Sequence, residues 1–369
     1  MHSRYVAAAF IAVFLAGSAA RADPPRWRDG AVFTMTDDAT ANAVLTYSRA
    51  PDGTLIPAAS ILTGGSGSGG GESVLGSQGA LALSTDGHFL FVVNAGSDEV
   101  SSFRVDGAHL ELVSRVSSGG PLPVSVTEHD GLVYVLDAGG AGNISGLLVD
   151  DRGVLTPLPG SRRSLGSAGS GGAQVSFDPS GDVLAVTEKA GKAISLYAVG
   201  RHGLASGPIV VPSAGAVPFG FGFTRRDVLV VSEAGGGPSG TSAVSSYALD
   251  HGALEVVSPS IPNYQRAACW LVVTRDGRFA YVANTASGDL SSYRIDRHGA
   301  LTVAAEVAGT LPGGKPLDLA LASRDHFLFA LDAGNHAIAA FARGEDGGLV
   351  ALGNVATGLP ASAVGLAAR

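Results

Sequence analysis

The chain has 369 residues, 46% of them hydrophobic, with 24 basic and 32 acidic side chains. That length supplies enough core to fold without covalent staples, and the lone cysteine, Cys269, rules out an internal disulfide. The negative balance, with only three lysines (Lys189, Lys192 and Lys315), argues against nucleic acid or an anionic membrane as partner.

Arg4 precedes a mostly apolar run from Tyr5 to Ala19, and Ala20-Arg21-Ala22 form a small-x-small step before Asp23. This pattern predicts an export signal over 1–22 and a single mature domain over 23–369. The run is too short to span a bilayer comfortably, so no membrane span is expected. Without the leader, 22 basic side chains face 32 acidic ones.

From residue 30 onward one unit tiles the chain. A strand-like stretch ends in a large residue flanked by small ones: VLTY at Tyr47, VSSF at Phe103, ISGL at Leu147, ISLY at Tyr197, VSSY at Tyr247, LSSY at Tyr293 and IAAF at Phe341. Within the second copy the pattern predicts four short strands, here termed a to d: ALALS from Ala80, FLFVVNA from Phe89, VSSFRV from Val100 and LELVSRV from Leu110. The order recurs from Pro121, Gly172, Val217, Ala267 and Pro316. The first copy lacks strand a, whereas the chain ends on a spare a-like segment, ASAVGLAA from Ala361. Together these predict an all-β, seven-bladed propeller of four-stranded antiparallel blades, with the C-terminal strand joining the N-terminal blade.

Turns from a to b and from c to d are short and read Asp86-Gly87, Asp276-Gly277, His202-Gly203 and His251-Gly252. The long connections, Gly64 to Gly79 among them, run from d to a and from b to c, which emerge at the same end. One face is therefore plain and the other decorated, and ligands are expected on the decorated one. The Gly-rich segment GGSGSGGGESVLGSQG lacks the Lys-Ser/Thr ending and following helix of a phosphate cradle, and reads as a mobile or tightly turning surface loop.

Every predicted b strand ends on an acid or amide: Asp37, Asn94, Asp137, Glu188, Glu233, Asn284 and Asp332. They predict a mostly acidic ring around the channel mouth, although short Asp and Asn side chains also serve their own turns. Glu188 and Glu233, in neighbouring blades, are the candidates for a carboxylate pair acting as general base, general acid or cation ligand. The starts of the a strands, with Gln78, Val124, Gln174, Phe219, Trp270 and Leu317, should line the same entrance; Gln78 and Gln174 suit a polar ligand. No histidine pair has zinc spacing, and no metal ligand set is assigned.

The segments FLFVVNAGSDEVSSFRV, FAYVANTASGDLSSYRI and LAVTEKAGKAISLYAV resemble the repeats of the seven-bladed lactonase family. That family groups 6-phosphogluconolactonase-like proteins with carboxymuconate cyclases and is related to Tyr-Val-Thr-Asn repeat propellers. The resemblance covers roughly residues 30 to 368 and is similar to an exported bacterial branch. It implies a channel with one Glu, one His and two Arg. Glu188 matches the Glu, whereas Val124, the Gly172-Ala173-Gln174 step and Thr285 occupy the other positions.

Two functions follow. The first is an exported, periplasmic or secreted binding or scaffold module, a monomer holding a small molecule, glycan or protein at the channel mouth. The alternative is a lactone hydrolase on a neutral lactone, with Glu188 as base, Glu233 as its partner, Gln174 as positioning residue and a divalent cation, Ca2+ or Mg2+, replacing the missing arginines.

Overall fold

A computed structural model describes residues 30–70, 75–235 and 242–369. The predicted leader lies outside them, as do residues 71–74 of the Gly-rich segment. Seven antiparallel sheets follow one another around a ring. Among the described residues the single helical element is a 3-10 turn, Ser323–Asp325. No described helix is long and apolar enough to cross a membrane.

Six blades are built from consecutive strands; blade 1 is not. Its a strand is the C-terminal Val364–Ala368, which pairs antiparallel with its b strand Ala31–Met35, bringing Met35 opposite Val364 and Phe33 opposite Ala367. The Arg369 amide donates to the Ala31 carbonyl at 2.9 Å. Thr34 Oγ1 adds a bond to the Val364 carbonyl. In blade 3 strand d is split into Leu155–Pro157 and Arg163–Ser164, both pairing with strand c (Asn143–Val149). Part of the expected Gly160 to Gly172 loop is thus strand.

The large residue of each repeat is a core residue, all seven being buried. In three of the four tyrosines the hydroxyl reaches the previous blade or the loop leaving it: Tyr197 Oη donates to Ser164 O at 2.9 Å, Tyr293 Oη donates to Ile261 O at 3.0 Å, and Tyr247 Oη accepts from Ala214 N at 2.8 Å. A ring that fills the inter-blade space and a hydroxyl that satisfies a neighbouring backbone group explain the choice. At the plain face, His251 (φ 49°) and Gly252 (φ 79°) form a tight hairpin turn in the left-handed region, where glycine is unstrained.

Beside the closure lies a residue the sequence reading passed over. Asp318, on the inner strand of blade 7 (Pro316–Leu321), is buried, and its carboxyl accepts from the amides of Leu319 and of Leu366 on the closing strand. Desolvation pushes its pKa up to about 8. The unfolded chain ionises this group near pH 4, whereas the folded chain keeps its proton to about pH 8. The folded state therefore loses stability as pH rises through that interval.

Two outcomes are expected. Deleting residues 359–369 should lower Tm by more than roughly 10 °C, or leave the chain insoluble, because the loss falls on the whole ring; thermal melts of the purified proteins check this. Asp318→Asn, which cannot ionise, should melt above the wild type at pH 8–9, with the gain shrinking toward zero at pH 4 and below; a gain independent of pH contradicts the assignment.

Candidate functional site

The expected acids and amides do stand at the ends of the b strands, but they do not form an open acidic ring. Asn94, Asp137, Asn284 and Asp332 have no exposed surface, and Glu188 and Glu233 are 1% exposed. Each is held by its own blade and by the loop arriving from the blade before. Glu188 accepts from Ser195 Oγ and, at 2.9 Å, from Gly166 N. Glu233 accepts from Ser245 Oγ and, at 2.6 Å, from Ser260 Oγ of its own blade, and from the Gly215 amide of the arriving loop. Asn94 accepts from Thr63 Oγ1 and donates to Ser101 Oγ; Asn284 accepts from Asn263 Nδ2 and donates to Ser291 Oγ. Asp332 accepts from Lys315 N and Asn335 Nδ2, and Asp37 from the amide and hydroxyl of Ser68.

The physical reason is the need to satisfy polar groups where seven sheets converge. The partner serines, Ser101, Ser195, Ser245 and Ser291, occupy one column of the repeat, two residues before its large residue. Glu188 and Glu233 are neighbours in blade order but bond to different junctions and not to each other. Burial raises the pKa of Asp37 and Glu233 and pushes Asp137 up to about 7, with hydrogen bonds opposing the shift in each case. Asp137 Oδ2 accepts from Asn143 Nδ2 at 2.8 Å. No group of three His, Cys, Asp or Glu side chains suited to a metal ion occurs among the described residues. Buried carboxyls bonded one by one in separate junctions, with Asp37, Asp137 and Glu233 held toward their neutral form, do not fit a resident divalent cation.

The Gly-rich segment does not stay on the surface, and this corrects the reading of it as a surface loop. Its end crosses the propeller axis. Gln78 of blade 2 donates from Nε2 to Leu271 O at 2.7 Å and accepts from Leu271 N at 2.9 Å, and Leu271 belongs to the inner strand of blade 6 (Ala268–Val273). In a ring of seven, blades 2 and 6 are as far apart as any two, so this pair spans the centre. Trp270 Nε1 donates to Ser77 O at 2.8 Å, Gln78 N to Ala173 O of blade 4, and Ser77 Oγ to Val124 O of blade 3. The crossing needs Gly220, where an added Cβ would stand 2.1 Å from Gln78 Oε1. Gln174 makes a similar two-bond clasp to the amide and carbonyl of Phe221 in blade 5. Both glutamines, expected to orient a ligand, are engaged with backbone.

On the decorated side of this crossing the sequence reading overlooked Lys189, one residue beyond Glu188. In the same column the other blades carry Asp38, Ala95, Ala138, Ala234, Thr285 and Ala333, so Lys189 is the only cation there; comparing that column was the available signal. Its Nζ donates to Gly76 O and lies 5.2 Å from the centre of the Phe219 ring. Phe219 packs edge-on against Trp270 with centroids 5.0 Å apart, both buried. Desolvation lowers the Lys189 pKa from the usual lysine range, and it pushes the nearby Cys269 thiol, beside Thr285, up to about 12. Cys269 is thus a thiol at neutral pH, not a nucleophile.

A seven-bladed ring, closed by its last strand and carrying a half-buried cation at one end of its axis, defines a class of propeller. The sequence matches the family model "Lactonase, 7-bladed beta-propeller" over residues 40–159 and 239–363, and the chain belongs to that family. Among solved structures, it is similar to a Bacteroides uniformis protein provisionally assigned as a 6-phosphogluconolactonase (TM-score 0.73, 16% identity, 91% of this chain and 98% of that one). It is also similar to the Pseudomonas aeruginosa periplasmic gluconolactonase (TM-score 0.71, 20% identity, 90% and 97%). At these identities the likeness shows the fold alone. No curated protein sequence matches the chain.

Gln78→Leu keeps the bulk but leaves both polar groups of Leu271 unpaired in the centre. It should destabilise by about 2–6 kcal/mol, with unpaired buried groups counted at about 1–3 kcal/mol each. Urea denaturation measures this; a loss under 1 kcal/mol, on the order of one ordinary hydrogen bond, contradicts a structural crossing.

Proposed function

We propose that the protein is a lactone hydrolase acting on a neutral sugar lactone at the decorated end of the axis. The observation that carries the reading is Lys189: an ammonium held between a backbone carbonyl and an aromatic face, where water is scarce. Hydrolysis of a lactone places negative charge on the carbonyl oxygen as water adds. An ammonium has three N–H donors, of which Gly76 takes one; another is available to that oxygen. One preorganised donor of this kind contributes on the order of 3–4 kcal/mol to the barrier. Phe219 and Trp270 supply an apolar wall, and Thr285 a hydroxyl, beside it.

Glu188 and Glu233 enter this reading as groups that hold the surrounding loops, through the amides of Gly166 and Gly215, rather than as an acid–base pair. Gln78 and Gln174 fix the inner strands from which Phe219 and Trp270 project. The lack of arginine at the positions occupied by the Gly172-Ala173-Gln174 step and Thr285 favours an uncharged substrate over a phosphorylated one. The leader-like segment 1–22 supports work outside the cytoplasm, and the P. aeruginosa protein is described as periplasmic.

Glucono-1,5-lactone is the substrate of choice for the test, with proton release followed in a pH-stat. Lys189→Met should lower kcat about 100-fold or more, with Tm unchanged. Wild-type activity should fall with rising pH below the ordinary lysine range, because loss of the proton from Lys189 removes the donor. The second reading, an exported binding or scaffold module, is favoured by the commitment of Glu188, Glu233 and Gln174 to internal bonds. It prevails if wild type and Lys189→Met are equally inactive on a panel of neutral lactones.

A further inference from the structure

The plain face, expected to be featureless, carries a cavity of about 930 Å³. Its position follows from the ring closure. Strands a and b of blade 1 come from opposite ends of the chain, and among the described residues the cavity lies beside their plain-face ends. Its wall is formed by the turns of blades 2, 6 and 7, the c-to-d turn of blade 1 and the end of the closing strand.

Four arginines from three blades line it: Arg49 and Arg369 from blade 1, Arg275 from blade 6 and Arg324 from blade 7. Two carboxyls share the wall, and both have internal partners. Asp325 accepts from Arg275 N, and Asp86 accepts from Ser84 Oγ, His88 N and His88 Nδ1. Arg369 donates to Gly87 O at 3.1 Å, and Arg49 lies 5.5 Å from the centre of the Phe327 ring. The guanidinium groups of Arg275 and Arg324 make no hydrogen bond or ion pair within the described residues, and both residues are exposed. Arg324 has φ 66°, a conformation that suits glycine, so a bulky cation occupies a strained position facing the cavity.

We propose that this cavity is a binding site for a small oxyanion, a di- or tricarboxylate or a phosphorylated metabolite, gripped by Arg275 and Arg324 with Arg49 and Arg369 behind them. Planar, permanently charged guanidinium groups bind carboxylate and phosphate oxygens in pairs. Four arginines from three blades on one cavity wall suit a ligand with more than one anionic group. The volume fits a molecule of metabolite size and not a macromolecule. The site lies at the end of the axis opposite Lys189, beyond the Gln78 crossing, so it is independent of the hydrolase reading.

The test is calorimetric titration at low salt with citrate, inorganic phosphate and uncharged glucose. We expect saturable binding of citrate or phosphate but not glucose, weakened at least tenfold by the double variant Arg275→Gln/Arg324→Gly and progressively weakened by added salt. Binding of citrate alone assigns a carboxylate ligand; binding of phosphate alone assigns a phosphorylated one. Glycine suits the backbone at 324, and the single variant Arg275→Gln, on an exposed turn, serves if the double variant fails to fold. Absence of saturable binding by either anion, equal affinity in the variants, or an equal loss on Lys189→Met overturns the proposal.

Discussion

One pairing of five residues from each end of the chain makes the ring a ring. Between Ala31–Met35 and Val364–Ala368 the first and last strands exchange backbone bonds, and every other blade contact then closes on itself. Without it, strand b of blade 1 would present an edge, with a row of unmatched amides and carbonyls, and blade 7 would lose the strand packed beside its inner one. Asp318, bonded to Leu366, shows how tightly the inner layer is drawn at this seam. A carboxyl that stays protonated to about pH 8 is a destabilising choice at neutral pH, accepted at the point where two non-consecutive segments must meet.

The same principle explains the polar belt at the strand ends. A propeller brings seven sheets to a narrow axis, where side chains are withdrawn from water before they can choose partners. Acids and amides there are stable only when matched, and the repeat supplies the match in the adjacent strand: serine two places before the large residue. In blade 7 that column holds Ala339, and Asp332 turns to Lys315 N and Asn335. The loops fastened by these bonds shape the decorated face, so the belt acts on function through position.

The fold was legible because period, strand order and the displaced a strand are properties of pattern. The seven large residues, the four turns and the closing strand all sit where pattern put them. The site was less legible. Pattern showed that Glu188 and Glu233 end strands but not that Ser195 and Ser245 would engage them, since those partners lie across the sheet. Nor did the sequence of glycines show that Ser77 and Gln78 would cross to blade 6, because that contact joins residues 193 positions apart. Lys189 was concealed by its neighbour: the acid fitted an expected motif, and the cation beside it fitted none.

The crossing made by Ser77 and Gln78 separates the molecule into two compartments. The path from Lys189 to the arginine-lined cavity through the middle meets the bonded Gln78–Leu271 pair. Each end answers to its own solution and its own charge, an ammonium over aromatic rings at one and a guanidinium cluster at the other. The two contacts of Gln78 with Leu271 tie blade 2 to blade 6 like a spoke across a wheel.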